Sequence, residues 1–262
     1  VAKINLFLDL VCKRKDGYHN IETVFQTISL HDEISLELIP SGLEIQCDDP
    51  SVPADAQNLA AKAFQAIQRL LMYRGGIRII IQKRIPSGSG LGGGSSNAAA
   101  VLRGVNYLLN GEIDDRKMRE LAYGIGADVP FFLSGGLAAG WGIGERLAPL
   151  IALPESVFVI AAPSGISVST PLAYRKTAAP DCSAAAPEQF SGCGERLKGF
   201  VDALRPSIPI SSNVSVFQFF YNELEAPVFA MFPEIARIKK NILKAGAAAA
   251  LMSGSGSPVF GV

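Results

Sequence analysis

Apolar positions fall into short strand-like runs at the start of the chain and into helical spacing afterwards. The run Ile4 to Val11 (INLFLDLV) predicts a strand, and Lys13-Arg14-Lys15-Asp16-Gly17 a charged turn in which glycine takes positive φ at little cost. Glu22 to Ser29 and Ile34 to Ile39 predict two more strands, and the cluster Asp48 to Pro53 closes this section. From Asn58 to Tyr73 apolar residues stand at 59, 63, 64, 67, 70 and 71, the spacing of an amphipathic helix. Gly75-Gly76 ends that helix, Ile77 to Ile85 is a strand, and Pro86 opens a glycine loop. A second helix runs from Ser95 to the stop at Asn110-Gly111, and a third covers Arg116 to Tyr123.

After Leu150 the composition shifts, which places a domain boundary near 150 to 160 and divides the chain into 1–155 and 156–262. Val157 to Ala162 predicts a strand, and the Ala/Pro/Ser/Gly stretch Thr177 to Gly194 a mobile surface loop. Asn222 to Val228 begins a helical region, Ile235 to Ala245 is a further helix, and Ala248 to Val262 reads as strand, glycine turn and strand. Strands and helices in this order give an α+β chain without an internal repeat.

Composition narrows the function classes. Lys plus Arg and Asp plus Glu are 24 each in 262 residues, so no basic surplus is available to neutralise a nucleic-acid backbone. At 48% hydrophobic and 18% charged residues the chain has a globular composition. The uncharged stretches 129–144 and 157–174 are interrupted by Gly, Pro and Ser, so neither reads as a membrane span. Cys12, Cys47, Cys182 and Cys193 form no Cys-x-x-Cys pair and the histidines are His19 and His31, which argues against a zinc site or a disulfide framework and for a reducing cytoplasm. No signal or transit peptide is visible; a leader preceding Val1 would leave a plastid location open.

The 26 glycines are unevenly placed. Pro86-Ser87-Gly88-Ser89-Gly90-Leu91-Gly92-Gly93-Gly94-Ser95-Ser96-Asn97 puts five of them into seven positions between a strand and a helix. Glycine lets a backbone approach an anion closely, and the following helix start offers unpaired N–H groups and the positive dipole end. The expectation is a phosphate cradle, with a ligand-free tight turn as the alternative. Gly88, Gly90 and Gly93 satisfy G-x-G-x-x-G, but no βαβ ladder follows, and the P-loop pattern fails because position 94 is Gly rather than Lys. Met252-Ser253-Gly254-Ser255-Gly256-Ser257-Pro258 is either a hairpin turn or a second wall of the same anion site. Gly126-Ala127-Asp128-Val129-Pro130-Phe131-Phe132 sets one carboxylate in an apolar run, either as a helix cap or as a functional acid with a cation partner, for which Lys3 is a candidate.

These motifs together resemble the GHMP kinase superfamily, and within it the branch acting on a cytidine diphosphate-linked methylerythritol. The resemblance rests on Ala2 to Leu6, Asp16 to His19, Pro86 to Ala99, residues 126 to 132 and Ser253 to Ser257, and it spans nearly the whole chain. It implies a two-domain architecture: an N-terminal ribosomal-protein-S5-domain-2-like ATP-binding domain and a C-terminal ferredoxin-like domain. Val1 stands where the family usually has Pro or Ser. Relatives continue beyond the position of Val262 with a helix and commonly another strand, so the C-terminal domain is expected to lack an edge.

The roles that the resemblance implies are specific. Asp128 and Lys3 are the catalytic pair, the carboxylate handling the proton of the substrate's 2-hydroxyl and the ammonium offsetting charge on the phosphoryl group. Pro86, Ser87, Gly88, Ser89, Gly90, Leu91, Gly92, Gly93, Gly94, Ser95 and Ser96 wrap the phosphates of ATP, with Ser95 or Ser96 near Mg²⁺, and Asn58 and Lys83 lie near the adenine. Tyr18 and His19 face Tyr174 across the cytosine, Thr170 belongs to the same wall, and Asn5 binds the erythritol end. Before the resemblance is counted, the alternative for Tyr18-His19 is an exposed turn pair. The partner is a small molecule, with neither nucleic acid nor membrane, and the protein a monomer or weak homodimer. Competing expectations are a mevalonate-type or homoserine-type kinase, or a nucleotide-binding relative without catalysis.

Overall fold

The computed structural model describes residues 1–183, 185–204 and 216–262. In chain order the elements are β1 (Ala2–Lys13), β2 (His19–Ile28), β3 (Glu33–Ile39), β4 (Leu43–Cys47), α1 (Leu59–Leu70), β5 (Gly76–Gln82), α2 (Gly93–Leu108), α3 (Asp115–Ile125) and α4 (Val129–Ser134). There follow β6 (Leu137–Gly142), β7 (Arg146–Pro149), β8 (Val159–Ala161), α5 (Thr170–Lys176), α6 (Glu195–Ala203), β9 (Tyr221–Asn222), α7 (Glu225–Met231), α8 (Pro233–Lys244), β10 (Ala250–Met252) and β11 (Val259–Gly261). The chain forms two compact units that interleave in sequence: Val1–Ala2, Ile28–Ser87 and Gly92–Gly135 make the first, Lys3–Thr27, Gly88–Leu91 and Gly136–Val262 the second.

The first unit is a three-stranded sheet in the order β3-β5-β4, packed on one face by helices. In β5 the alternation Ile77, Ile79, Ile81 puts three isoleucines at 0–1% exposure against Ala63, Phe64 and Ile67 of α1 and Ala98, Val101, Leu102 and Val105 of α2. Each fully buried isoleucine contributes about 1.5–3 kcal/mol. On the opposite face Arg78 sits in register between Glu37 and Glu44 and pairs with both, at 2.5 and 2.7 Å. Gly104 on α2 lets Leu36 pack close, since a Cβ there would stand 2.5 Å from Leu36 Cδ1 and that side chain would have to shift. Strand β4 was not among the expected elements, although Leu43, Ile45 and Cys47 alternate.

The second unit holds a five-stranded sheet in the order β7-β6-β2-β1-β9 and a three-stranded sheet in the order β10-β11-β8. β9 pairs parallel with β1, whereas β6 is antiparallel to both β2 and β7. β6 also escaped the sequence reading, because LAAGWG carries no alternation. Its small residues answer to β2: a Cβ on Gly140 would meet Phe25 Cε2 at 2.8 Å. Leu8 and Leu10 join Val168, Leu224, Val228, Met252 and Val259 in the core.

One expectation is corrected here. Cys12 and Cys182 form a disulfide, against the reading of the cysteines as unpaired. A separation of 170 residues carries no pairing signal; Lys13 and Asp181 meet in a parallel bridge, and that brings the sulfurs together. Described residues of the stretch 177–194, expected as a mobile surface loop, also have partners elsewhere in the second unit. Besides the disulfide, Trp141 Nε1 donates to Pro187 O at 2.9 Å, and Gly194 N donates to Glu22 Oε1 at 2.7 Å. Cys193 stays a thiol at neutral pH, since burial and then the Glu22 charge push it up to about 11. No described helix is long and apolar enough to cross a membrane.

Cross-linking across 170 residues removes much denatured-chain entropy, and native disulfides typically contribute about 2–4 kcal/mol. Cys182→Ser is therefore expected to lower the melting temperature by roughly 5–10 °C. Thermal denaturation checks this: wild type in a dithiol reductant should melt with the variant, and Cys47→Ser should match oxidised wild type.

Candidate active site

In the second unit the start of β1 buries two polar side chains, Lys3 at 6% and Asn5 at 2% exposure. Lys3 Nζ donates to Asn5 Oδ1 at 2.8 Å and stands 5.3 Å from the centre of the Phe25 ring. Asn5 Nδ2 donates to Thr23 Oγ1 at 2.8 Å, and the Thr23 hydroxyl donates to Phe7 O at 2.6 Å. Lys3 N donates to Leu91 O at 2.9 Å, which ties the Gly88–Leu91 part of the first glycine loop to this strand.

The second glycine loop lies against the same residues. Asn5 N donates to Ser253 Oγ at 3.3 Å, and a Cβ on Gly254 would stand 3.4 Å from Asn5 Oδ1 and 3.8 Å from Lys3 Nζ. Gly90, at φ +72°, leaves 3.3 Å between a Cβ position and Gly256 O, so the loops approach backbone to backbone. The segment is thus a β10–β11 turn and also packs against the first loop. It is braced by Asn222, at 4% exposure, whose Nδ2 donates to Met252 O and Gly254 O, each at 2.7 Å, while its Oδ1 accepts from Leu224 N at 3.0 Å.

Asp16 to His19 forms a tight turn. Asp16 accepts from Tyr18 N at 3.1 Å and pairs with Arg14 at 2.7 Å, and that hydrogen-bonded pair holds its carboxyl below the usual range. Gly17 takes φ +88°. Tyr18 is left 61% exposed, whereas His19 is buried, and its ring centre lies 5.4 Å from that of Tyr174 on α5, tilted by 46°. Burial, then the Lys13 charge, lowers the His19 pKa, which favours the neutral imidazole. Thr170, one turn before Tyr174, contacts Ser255 Oγ at 2.8 Å.

In the first unit Gly92 occupies the N-cap of α2 at φ +76° and supplies no side chain to the first-turn amides. A Cβ on Gly93 would stand 2.9 Å from Lys83 Nζ. That ammonium pairs with Asp32 at 2.5 Å, the two side chains 8% and 1% exposed. Burial pushes the Asp32 carboxyl up, but the bonds from Lys83 and from the amides of Ile85 and Arg84 outweigh it and leave it below the usual range. Pro86, Ser87 and Gly88 are exposed, and Ser87 Oγ donates to Asp49 Oδ2 at 2.7 Å. Ser89 and Leu91 are buried, Gly94 is exposed, Ser95 is half-buried, and Ser96 Oγ accepts from Val1 N at 3.0 Å. Asn58 caps α1, accepting from Ala60 N at 2.9 Å and donating to Pro53 O at 2.7 Å.

Asp128 stands at the N-cap position of α4 with φ −83°, but its half-buried side chain makes no capping bond. The helix-cap alternative therefore accounts for its place in the chain and not for its carboxylate. A cavity of about 610 Å³ in this unit, lined by Arg103, Asn106 and Arg119 among others, reaches the C-terminal end of α2, away from the glycines.

The family descriptions "GHMP kinases N terminal domain" and "GHMP kinases C terminal" match residues 58–136 and 206–262. A 4-diphosphocytidyl-2-C-methyl-D-erythritol kinase of Citrifermentans bemidjiense is 39% identical over 264 residues, covering 100% of this chain and 87% of that protein. The kinase of the same name from Gloeobacter violaceus is 35% identical over 261 residues, covering 100% of this chain and 83% of that one. The chain belongs to the 4-diphosphocytidyl-2-C-methyl-D-erythritol kinase family of GHMP kinases. A crystal structure of 4-(cytidine 5'-diphospho)-2C-methyl-D-erythritol kinase superposes with a TM-score of 0.77 at 37% identity, covering 100% of this chain and 87% of that one. The mevalonate kinase of L. major, at 20% identity, a TM-score of 0.65 and coverage of 99% and 84%, shares the fold.

Thr23, Phe25, Asp32 and Asn222 of this kinase were not singled out from the sequence, since nothing local distinguishes them. Asn222→Asp would set a carboxylate oxygen against two carbonyls where an amide now donates twice. It is expected to cost about 3 kcal/mol or more, read as a lowered urea midpoint, with Asn222→Ala losing less.

Proposed function

We propose that this kinase transfers the γ-phosphoryl group of ATP to the 2-hydroxyl of 4-(cytidine 5'-diphospho)-2-C-methyl-D-erythritol, giving the 2-phosphate and ADP in the non-mevalonate route to isoprenoid precursors. The observation that carries the reading is the start of α2. A 16-residue helix follows a glycine-built loop and begins at a left-handed glycine with no side-chain cap, so its first amides and positive dipole end suit a polyphosphate. The substrate is inferred from relatives of that name, which match the chain over its whole length.

The chemistry then divides among residues of known setting. Pro86 to Ser96 cradle the phosphates, with Asn58 and Lys83 toward the adenine. Asp128, half-buried at the start of α4, acts as the base for the 2-hydroxyl. Lys3 carries the positive charge that offsets the transferred phosphoryl group, held by Asn5 and Phe25. Asn5 orients the erythritol end, Tyr18, His19 and Tyr174 take the cytosine, and Thr170 and Ser253 to Ser257 form the adjoining wall.

Mg²⁺ fits this donor set as a partial shell. The half-buried Ser95 hydroxyl on the first turn of α2 suits one position, because Mg²⁺ bound with nucleotides takes few protein ligands and fills the rest with phosphate oxygens and water. When bound it would neutralise phosphate charge. We place the protein in the cytoplasm as a monomer or weak homodimer.

Asp128→Ala is expected to lower kcat about 10³-fold or more with little change in the KM for ATP. Coupled ADP release with the cytidyl substrate, mevalonate and homoserine reads this, and turnover with either smaller alcohol in preference would overturn the substrate. Tyr18→Ala and Tyr174→Ala should each raise the KM for the cytidyl substrate about 5- to 100-fold, since base stacking contributes roughly 1–3 kcal/mol. Steady-state kinetics with each substrate varied in turn would show whether ATP is affected instead.

A further inference from the structure

We propose that Thr23 is a positioning residue for phosphoryl transfer: its hydroxyl sets which way the Asn5 amide faces and so holds Lys3 in place. The inference rests on the functional reading above. Thr23 is fully buried in β2, and its single hydroxyl hydrogen is committed to Phe7 O at 2.6 Å. Toward Asn5, 2.8 Å away, Thr23 Oγ1 can therefore only accept. That places Asn5 Nδ2 on the Thr23 side and turns Oδ1 toward Lys3 Nζ at 2.8 Å. An ammonium has only donors, so the opposite orientation of the amide would set donors against it. The Phe7 carbonyl thus polarises a chain of three bonds that ends on the lysine, and every link is buried.

Thr23 also packs, since a Cβ on Gly140 would stand 3.0 Å from Thr23 Cγ2. Its methyl and its hydroxyl can be removed separately. Thr23→Val keeps the methyl against Gly140 and deletes the hydroxyl, leaving Asn5 Nδ2 without its acceptor. Thr23→Ser keeps the hydroxyl and deletes the methyl. If Thr23 only fills space, serine is the more harmful change. If it orients Asn5, valine is.

The test compares wild type, Thr23→Val and Thr23→Ser in coupled ADP release with the cytidyl substrate, together with their melting temperatures. We expect Thr23→Val to lose about 10- to 100-fold in kcat with the KM for ATP within about twofold of wild type, and Thr23→Ser to stay within about threefold in kcat. Should the valine variant not fold, Thr23→Ala replaces it, with the same loss expected relative to serine. Equal kcat for valine and wild type, or equal losses for valine and serine, would overturn the role of Thr23 while leaving the functional reading intact. Silence of the wild type with this substrate would overturn the functional reading and the role of Thr23 with it.

Discussion

Lys3 and Asn5 lie on a strand with almost no solvent-facing side, and the need to satisfy their polar atoms organises the second unit. From Ala2 to Leu8 every residue of β1 is buried. A lysine and an asparagine in such a strand are tolerable only if their groups find partners, since an unpaired buried amide or charge costs several kcal/mol. The partners arrive from different parts of the chain: Thr23 and Phe25 from β2, Leu91 O from the first glycine loop, Ser253 Oγ from the second. Asn222, which pairs with Leu8 in the short parallel pairing of β9 with β1, fixes that second loop through two carbonyls, Met252 O and Gly254 O. The polar residues that carry the proposed chemistry are therefore also what joins the loops to the sheet.

The glycines serve two distinct physical ends. Gly90 and Gly92 are needed for positive φ, and Gly90 also for its approach to Gly256 O. Gly93 is needed for space over Lys83. Zero net charge is consistent with this arrangement: backbone amides at a helix start supply positive potential without a basic surface. The buried Lys83–Asp32 pair also shows that a lysine close to a glycine loop can be structural, because Asp32 closes the end of β5 by accepting from the Arg84 and Ile85 amides.

What could be read from the chain was whatever is written locally. Helical spacing and stop signals located α1, α2, α3 and α8, and the apolar runs located β1, β2, β3 and β5, because these patterns are carried by each element's own residues. β6 was invisible because Ala138, Ala139 and Gly140 give it no alternation, and the missing side chain at 140 answers to Phe25 on a strand more than a hundred positions earlier. The disulfide and the contacts of 177–194 were invisible for the same reason: Cys12, Trp141 and Glu22, which meet that segment in the folded chain, lie far from it in sequence. Nor does composition reveal that Lys3–Thr27 folds with the second unit, since a strand's partners are not encoded in its own residues. Motifs marked Lys3, Asp128 and both glycine loops as candidates for the site, while Thr23 and Asn222 depend on what folding brings to them.

The fold itself does not select the acceptor alcohol, as the likeness to a mevalonate kinase at 20% identity shows. Selection has to come from side chains with no other task. In the turn from Asp16 to His19 the carboxylate is spent on the Tyr18 amide and on Arg14, and Gly17 on its positive φ. Both residues are explained by the turn alone. Tyr18 is not: its amide is used, but its ring is left 61% exposed, an arrangement that costs an apolar surface and gains the turn nothing. His19 is held neutral by burial against Tyr174, whose helix also brings Thr170 to Ser255 of the second glycine loop. An aromatic face next in the chain to a neutral, buried imidazole that packs on the half-buried Tyr174 ring suits an uncharged planar ring, and a pyrimidine base is such a ring. The same surface offers little to a small polar alcohol, so the turn that a sequence motif marks is where this kinase would distinguish its substrate from those of its relatives.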